Sequence, residues 1–166
     1  MKGELIMIKL LSLDTSTRNT GYALYTNGEL RNYGVLATKS KEPTDDMLLK
    51  LSELLNEYKP DIVVIENTVV LRNARVQRDL TQILGAVRFW SIQNGSCFYT
   101  LNPTEWRRLV KGADEVLPKS RPELKEWSIR TASDTIQKEL ADDNVSDAIL
   151  IGVAYINLTA QKGEAV

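Results

Sequence analysis

The sequence predicts a mixed α/β protein: a five-stranded sheet with its first three strands antiparallel, the rest parallel, and helices on both faces. Three features predict it. Ile8–Asp14 and Asp61–Glu66 (DIVVIE) are almost continuously apolar, as strands covered on both faces are. Asn27-Gly28 joins two β-rich runs, GYALYT and ELRNYGVLA, and Asn-Gly in that setting is the strongest short hairpin signal. Beyond them, segments with apolar residues at helical spacing alternate with further short strands. At 166 residues the chain has the size of one domain. A single domain is therefore expected over 1–166, frayed at 1–6 and 159–166.

The elements follow in order. Ile8–Asp14 is the first strand, and the hairpin supplies the second and third. Thr44 or Asp45 caps a helix whose stripe is Met47, Leu48, Leu51, Leu54, Leu55 and Tyr58, and Pro60 ends it. DIVVIE is the next buried strand. A helix over Arg75–Gln93 carries Val76, Leu80, Ile83, Leu84 and Val87 on one side, and Asn94-Gly95 stops it. Cys97–Leu101 is a short strand. Pro103 opens a short helix with Trp106. Lys111–Pro122, holding Gly112, Pro118 and Pro122, reads as a loop. Helices over Glu123–Leu140 and Asn144–Leu158 close the chain, followed by a polar tail. Trp90, Trp106 and Trp127 are read as core or interface residues.

Composition removes several chemistries. There is no histidine and one cysteine, Cys97. Ser-His-Asp and Cys-His catalysis, imidazole-ligated zinc, thiolate zinc and disulfides are all excluded. No apolar run is long enough to span a membrane and no leader is recognisable, so a cytoplasmic protein is expected. The net charge is −1, but Arg72–Arg130 holds eleven cations against six acids. A basic stretch with isolated acids elsewhere suits a polyanionic partner.

The acids fall at telling places. Asp14 ends the first strand and Glu66 ends DIVVIE. With a helix crossing between them these strands run parallel, so both acids reach one sheet edge, where open α/β sheets bind ligands. Each alone reads as an ordinary strand-end acid. Asp142, Asp143 and Asn144 suit the start of the last helix as capping residues. Asp147 does not, because it shares a face with Ile151, Ala154, Tyr155 and Leu158. A carboxylate on an apolar stripe needs a partner or a metal. Without histidine, hard oxygen ligands point to Mg²⁺ or Mn²⁺.

Three blocks carry a family likeness. LSLDTSTRNTGYALY resembles the opening strand-turn-strand of RuvC-type Holliday-junction resolvases, in the ribonuclease H-like superfamily. DIVVIENTVVLRNARVQRDLTQILGAV resembles their second acidic strand and the helix after it, and DDNVSDAILIG their closing Asp-Ala helix. The short chain and Arg-rich second block look most like phage-encoded members. The resemblance implies a ribonuclease H-like fold and metal ligands at Asp14, Glu66 and Asp147. The family's fourth acid lies three residues before the last of these, where this chain has Asn144; Asp143 is the alternative. A lysine near the start of the penultimate helix assists the family's chemistry, which implies Lys125, with Lys119 the alternative. A solvated lysine is the plain reading of either. The family's aromatic residue after the glutamate is missing from Asn67-Thr68-Val69-Val70-Leu71.

The resemblance further implies a metal-dependent endonuclease acting on branched DNA, namely four-way junctions with forks as further candidates. Two Mg²⁺ or Mn²⁺ ions would activate water and stabilise the leaving oxygen, with no organic cofactor. It also implies a homodimer, since a junction needs two symmetric cuts. Arg72, Arg75, Arg78, Arg107, Arg108, Lys119 and Arg121 are the candidate phosphate contacts; ordinary surface charge is the plain reading. Two alternatives stand beside this. Asn144 raises a catalytically weakened junction binder, and LDTSTRNTGYALY also resembles the phosphate loop of actin-like nucleotide-binding proteins.

Overall fold

The computed structural model describes residues 7–67 and 73–163. Five strands form one sheet: β1 (Lys9–Asp14), β2 (Asn19–Thr26), β3 (Glu29–Ala37), β4 (Ile62–Glu66) and β5 (Cys97–Leu101), in spatial order β3-β2-β1-β4-β5. β1–β2 and β2–β3 pair antiparallel, while β1–β4 and β4–β5 pair parallel, as the sequence predicts. Asn27 and Gly28 both have positive φ, 50° and 77°. That is the backbone of a tight two-residue hairpin turn, which few residues other than Asn and Gly adopt cheaply.

Helices α1 (Pro43–Tyr58) and α2 (Ala74–Asn94) cover one face; α3 (Pro103–Val110), α4 (Arg121–Ile136) and α5 (Asp143–Gln161) cover the other. The alternation along β1 shows why. Leu11 and Leu13 join Met47, Leu51, Leu55, Ile83 and Val87 in one core. Leu10 faces the other, with Trp106, Trp127, Ile149 and Tyr155. β1 is central and buried on both sides, so its apolar run is unbroken but for Ser12. Ser12 Oγ donates to Ala148 O at 2.7 Å, which satisfies the hydroxyl where α5 crosses the sheet.

Several helix ends depart from the sequence reading. α1 starts before Thr44, because Pro43 occupies the first turn, where its missing N–H costs nothing. α4 begins at Arg121, inside the expected loop. The Ser120 side chain accepts from Glu123 N, with Pro122 again in the first turn. It ends at Ile136, not Leu140, because Gln137 turns left-handed with φ 54°. α5 begins at Asp143 and runs past Leu158 to Gln161, so fraying does not begin at residue 159. Thr159 is only 5% exposed. Its hydroxyl bonds the Tyr155 and Ile156 carbonyls, at 3.1 and 2.9 Å.

The seat of α5 sets the site. Tyr25 donates its hydroxyl hydrogen to Ile149 O at 2.7 Å. At Gly21 on β2, an added Cβ would lie 1.9 Å from the Asn144 carbonyl oxygen. Only a glycine lets the first turn of α5 come this close to the sheet.

Candidate active site

The C-terminal ends of β1 and β4 and the first turns of α5 enclose a cleft of about 590 Å³. Leu13 and Ile65 are register partners, so Asp14 and Glu66 leave the sheet side by side. Asp143 and Asp147, one helical turn apart on α5, reach the same cleft, together with Arg107, Arg121, Lys125 and Ser128. The geometry thus brings Asp14, Glu66, Asp143 and Asp147 to one place from three elements.

These acids are held against their preference for charge. Burial, then the charges of Asp147, Glu66 and Asp143, raises Asp14 well above the ordinary carboxylate range, while Arg107 opposes the rise. Burial raises Glu66, opposed by a hydrogen bond from Trp106. Burial also raises Asp147, opposed by a Ser128 hydrogen bond and by Arg107. Asp147 Oδ1 is buried without a hydrogen-bond partner. Lys125 Nζ forms an ion pair with Asp143 Oδ2 at 2.5 Å.

A cluster of repelling carboxylates with an orphaned buried oxygen has the chemistry of a cation site. Among the described residues, no group of three or more acids is placed to hold a metal ion by itself. Mg²⁺ does not need one, because it binds through one or two carboxylates and completes its shell with water and substrate phosphate. The donor set fits a hard divalent cation bound in that manner.

The two alternatives at the start of α5 differ in their contacts. The Asp142 side chain caps the helix by accepting from Val145 N at 3.1 Å. Asn144 lines the cleft, but its Nδ2 donates to Asp142 Oδ1 at 3.2 Å. Asp143 carries its charge toward Asp14, Asp147 and Lys125.

The basic residues divide. Arg107, a candidate phosphate contact, lies among the acids: its guanidinium is 4.6 Å from the Trp106 ring centre, and its charge acts on Asp14, Glu66 and Asp147. Arg121 and Lys125 line the cleft on α4. Arg108 and Lys119 are exposed outside that lining. Arg75 and Arg78 are exposed in the first turns of α2, whose Val76 and Leu80 form a wall of the cleft. Arg72 lies outside the described residues, as do Thr68–Leu71 of the stretch without an aromatic residue. Sequence reasoning missed Ser128 and the polar end of Trp106. The signal for the latter was chemical: a buried indole N–H must find an acceptor.

This sheet order, with helices on both faces and acids at one edge, is a ribonuclease H-like fold. No family model matches the chain. Its curated relatives include the crossover junction endodeoxyribonuclease RuvC of Trichlorobacter lovleyi, 26% identical over 96% of this chain and 92% of the relative. That of Aliarcobacter butzleri is 27% identical, covering 89% and 97%. Among solved structures, Thermus thermophilus RuvC in complex with a Holliday junction superposes with TM-score 0.71 at 17% identity, covering 95% of this chain and 98% of that one. Fowlpox virus resolvase, solved with Holliday junction DNA, gives 0.65 at 15%, covering 91% and 98%. Within that fold, the chain is similar to RuvC proteins along nearly its whole length.

Proposed function

We propose that this protein is a structure-selective endonuclease that cuts branched DNA, four-way junctions first and forks second, by metal-dependent phosphodiester hydrolysis. The observation that carries the proposal is the convergence of Asp14, Glu66 and Asp147 in one cleft, with an unpaired buried oxygen on Asp147. The relatives' names, crossover junction endodeoxyribonucleases, support the same reaction and favour neither the weakened binder nor the nucleotide-binding alternative.

Asp14, Glu66 and Asp147 would share the hold on the metal, Mg²⁺ or Mn²⁺ and two ions, with Asp143 as the fourth acid. When bound, the metal supplies a Lewis acid and a water of lowered pKa. Around it, Ser128 orients Asp147 and Arg107 offsets charge among the acids. Lys125, paired with Asp143, presents an ammonium at the cleft for the charge that develops on the departing oxygen. Arg75, Arg78, Arg108, Lys119 and Arg121, with Arg72, take backbone phosphates, so affinity falls steeply with salt.

Two symmetric cuts require two sites facing one junction, which a two-fold dimer provides. Phe89 and Ile92 on α2 are 60% and 67% exposed. Phe89 lines a groove with Leu48, Leu51, Leu55, Val87 and Trp90 between α1 and α2, and a dimer would cover this apolar face. No described helix is long and apolar enough to cross a membrane.

The test is incubation with a synthetic four-way junction, a fork and a linear duplex, with Mg²⁺ or with chelator. Paired cuts on the junction that need Mg²⁺ are expected. Equal cutting of linear duplex, or no cutting in any metal, would overturn the proposal.

A further inference from the structure

Trp106 is wholly buried on α3, and its indole N–H donates to Glu66 Oε2 at 2.6 Å. Its ring also carries the Arg107 guanidinium, 4.6 Å from the ring centre. One side chain therefore holds an acid of the cleft by its edge and the cation that faces the acids by its face. Trp127 lies beside it, ring centres 6.4 Å apart, but spends its N–H on Glu115 Oε1 at 2.8 Å, outside the cleft lining. Two neighbouring buried indoles thus differ in one respect: only Trp106 touches a carboxylate of the site.

We infer that Trp106 is a positioning residue of the metal centre. An indole N–H can only donate, so it engages Glu66 Oε2 as a fixed hydrogen-bond acceptor and takes no part in proton transfer. Oε1 is left for a divalent cation. A glutamate otherwise loses the freedom of its side-chain torsions when a cation binds, and the indole removes that freedom beforehand. Buried donor and buried acceptor each depend on the other, so neither relaxes away. The inference rests on Glu66 being a metal ligand.

Trp106→Phe tests it, because phenyl keeps a ring face for Arg107 and loses the N–H with the rest of the five-membered ring, and Trp127→Phe, at the neighbouring buried indole, controls for the lost volume. Direct titration of the full chain with Mn²⁺ alone, following free ion by electron paramagnetic resonance, reads binding without catalysis. Groups that orient metal ligands from behind are worth about 10–100-fold in metal affinity. Trp106→Phe should therefore bind Mn²⁺ at least about ten-fold more weakly, and Trp127→Phe within about two-fold of wild type. In junction cleavage, half-saturating Mn²⁺ should rise by more than kcat falls. Wild-type affinity in Trp106→Phe overturns the inference. No binding by the wild type overturns instead the reading of the cleft as a metal site. Should Trp106→Phe not fold, the Trp90→Phe/Trp127→Phe variant leaves Trp106 as the sole indole. Its ¹⁵N–¹H indole resonance must move on addition of Mg²⁺, and a resonance that stays in place overturns the inference as well.

Discussion

Asp14→Asn should stabilise the metal-free protein while abolishing cleavage. The Asp14 carboxyl sits among three acids, with burial the largest influence on it, and Arg107 returns part of the loss. Its folded pKa lies above its unfolded one, so between the two values the folded state binds more protons. Stability therefore falls as pH rises from the ordinary carboxylate range through the folded pKa, and the loss is complete above it. Asparagine keeps the shape and removes the charge. A buried polar group left uncompensated costs on the order of 1–3 kcal/mol. With Arg107 offsetting part, about 1–2 kcal/mol should be regained near neutral pH. Each kcal/mol moves the melting temperature of a chain this size by about 2–4 °C. The assay is scanning calorimetry in chelator at about pH 5 and pH 8. The gain should be larger at pH 8, and Mn²⁺ should raise the wild-type melting temperature more than that of the variant. A variant less stable than wild type at pH 8, or equally stabilised by Mn²⁺, would refute the reasoning.

Three further outcomes follow from the same geometry. Asp143→Asn should lower Mg²⁺-dependent junction cleavage at least about ten-fold, equivalent to 1.36 kcal/mol of barrier, whereas Asn144→Asp should change it little; the reverse pattern in a cleavage assay would move the fourth acid to position 144. Replacing Arg72, Arg75 and Arg78 together with alanine should weaken junction binding and flatten the logarithmic salt dependence by about 0.9 per lost phosphate contact; an unchanged slope in a filter-binding titration would remove them from the interface. Gly21→Ala would place a methyl 1.9 Å from the Asn144 carbonyl oxygen, so it should cost roughly 1–3 kcal/mol in a denaturant melt and shift α5 enough to lower cleavage; a neutral result would show that α5 is not tightly seated.

The strands were the most legible part of the sequence, and the reason is burial. β1 and β4 are covered on both faces, so their apolar runs are nearly continuous, and they end in Asp14 and Glu66. Helix ends were less legible, because periodicity does not register where a chain turns back onto the same core. Ile136 and Leu140 keep helical spacing, yet Gln137 ends α4 between them. Leu140 still packs on the core, with its N–H donated to Ser133 Oγ at 3.1 Å. Thr159 looked like tail for the complementary reason: a hydroxyl that bonds the preceding turn can be buried. Trp106 was legible as core and not as a contact of Glu66, since an apolar reading of tryptophan discards its one polar atom.

Helical angle could not choose between Asp143 and Asn144, because positions three and four before Asp147 both lie near its face. What separates them is the accounting of donors at the helix start. The first N–H groups of α5 have no partner within the helix, and Asp142 serves Val145 N. The amide of Asn144 can donate, so it bonds the same Asp142 oxygen at 3.2 Å and is drawn toward the cap. Asp143 has no donor to offer and gains nothing there. Its carboxylate pairs instead with Lys125 across the cleft. The amide of Asn144 is thus used at the cap, and we propose that the fourth acid is Asp143, one residue earlier, whose charge acts on Asp14 and Asp147.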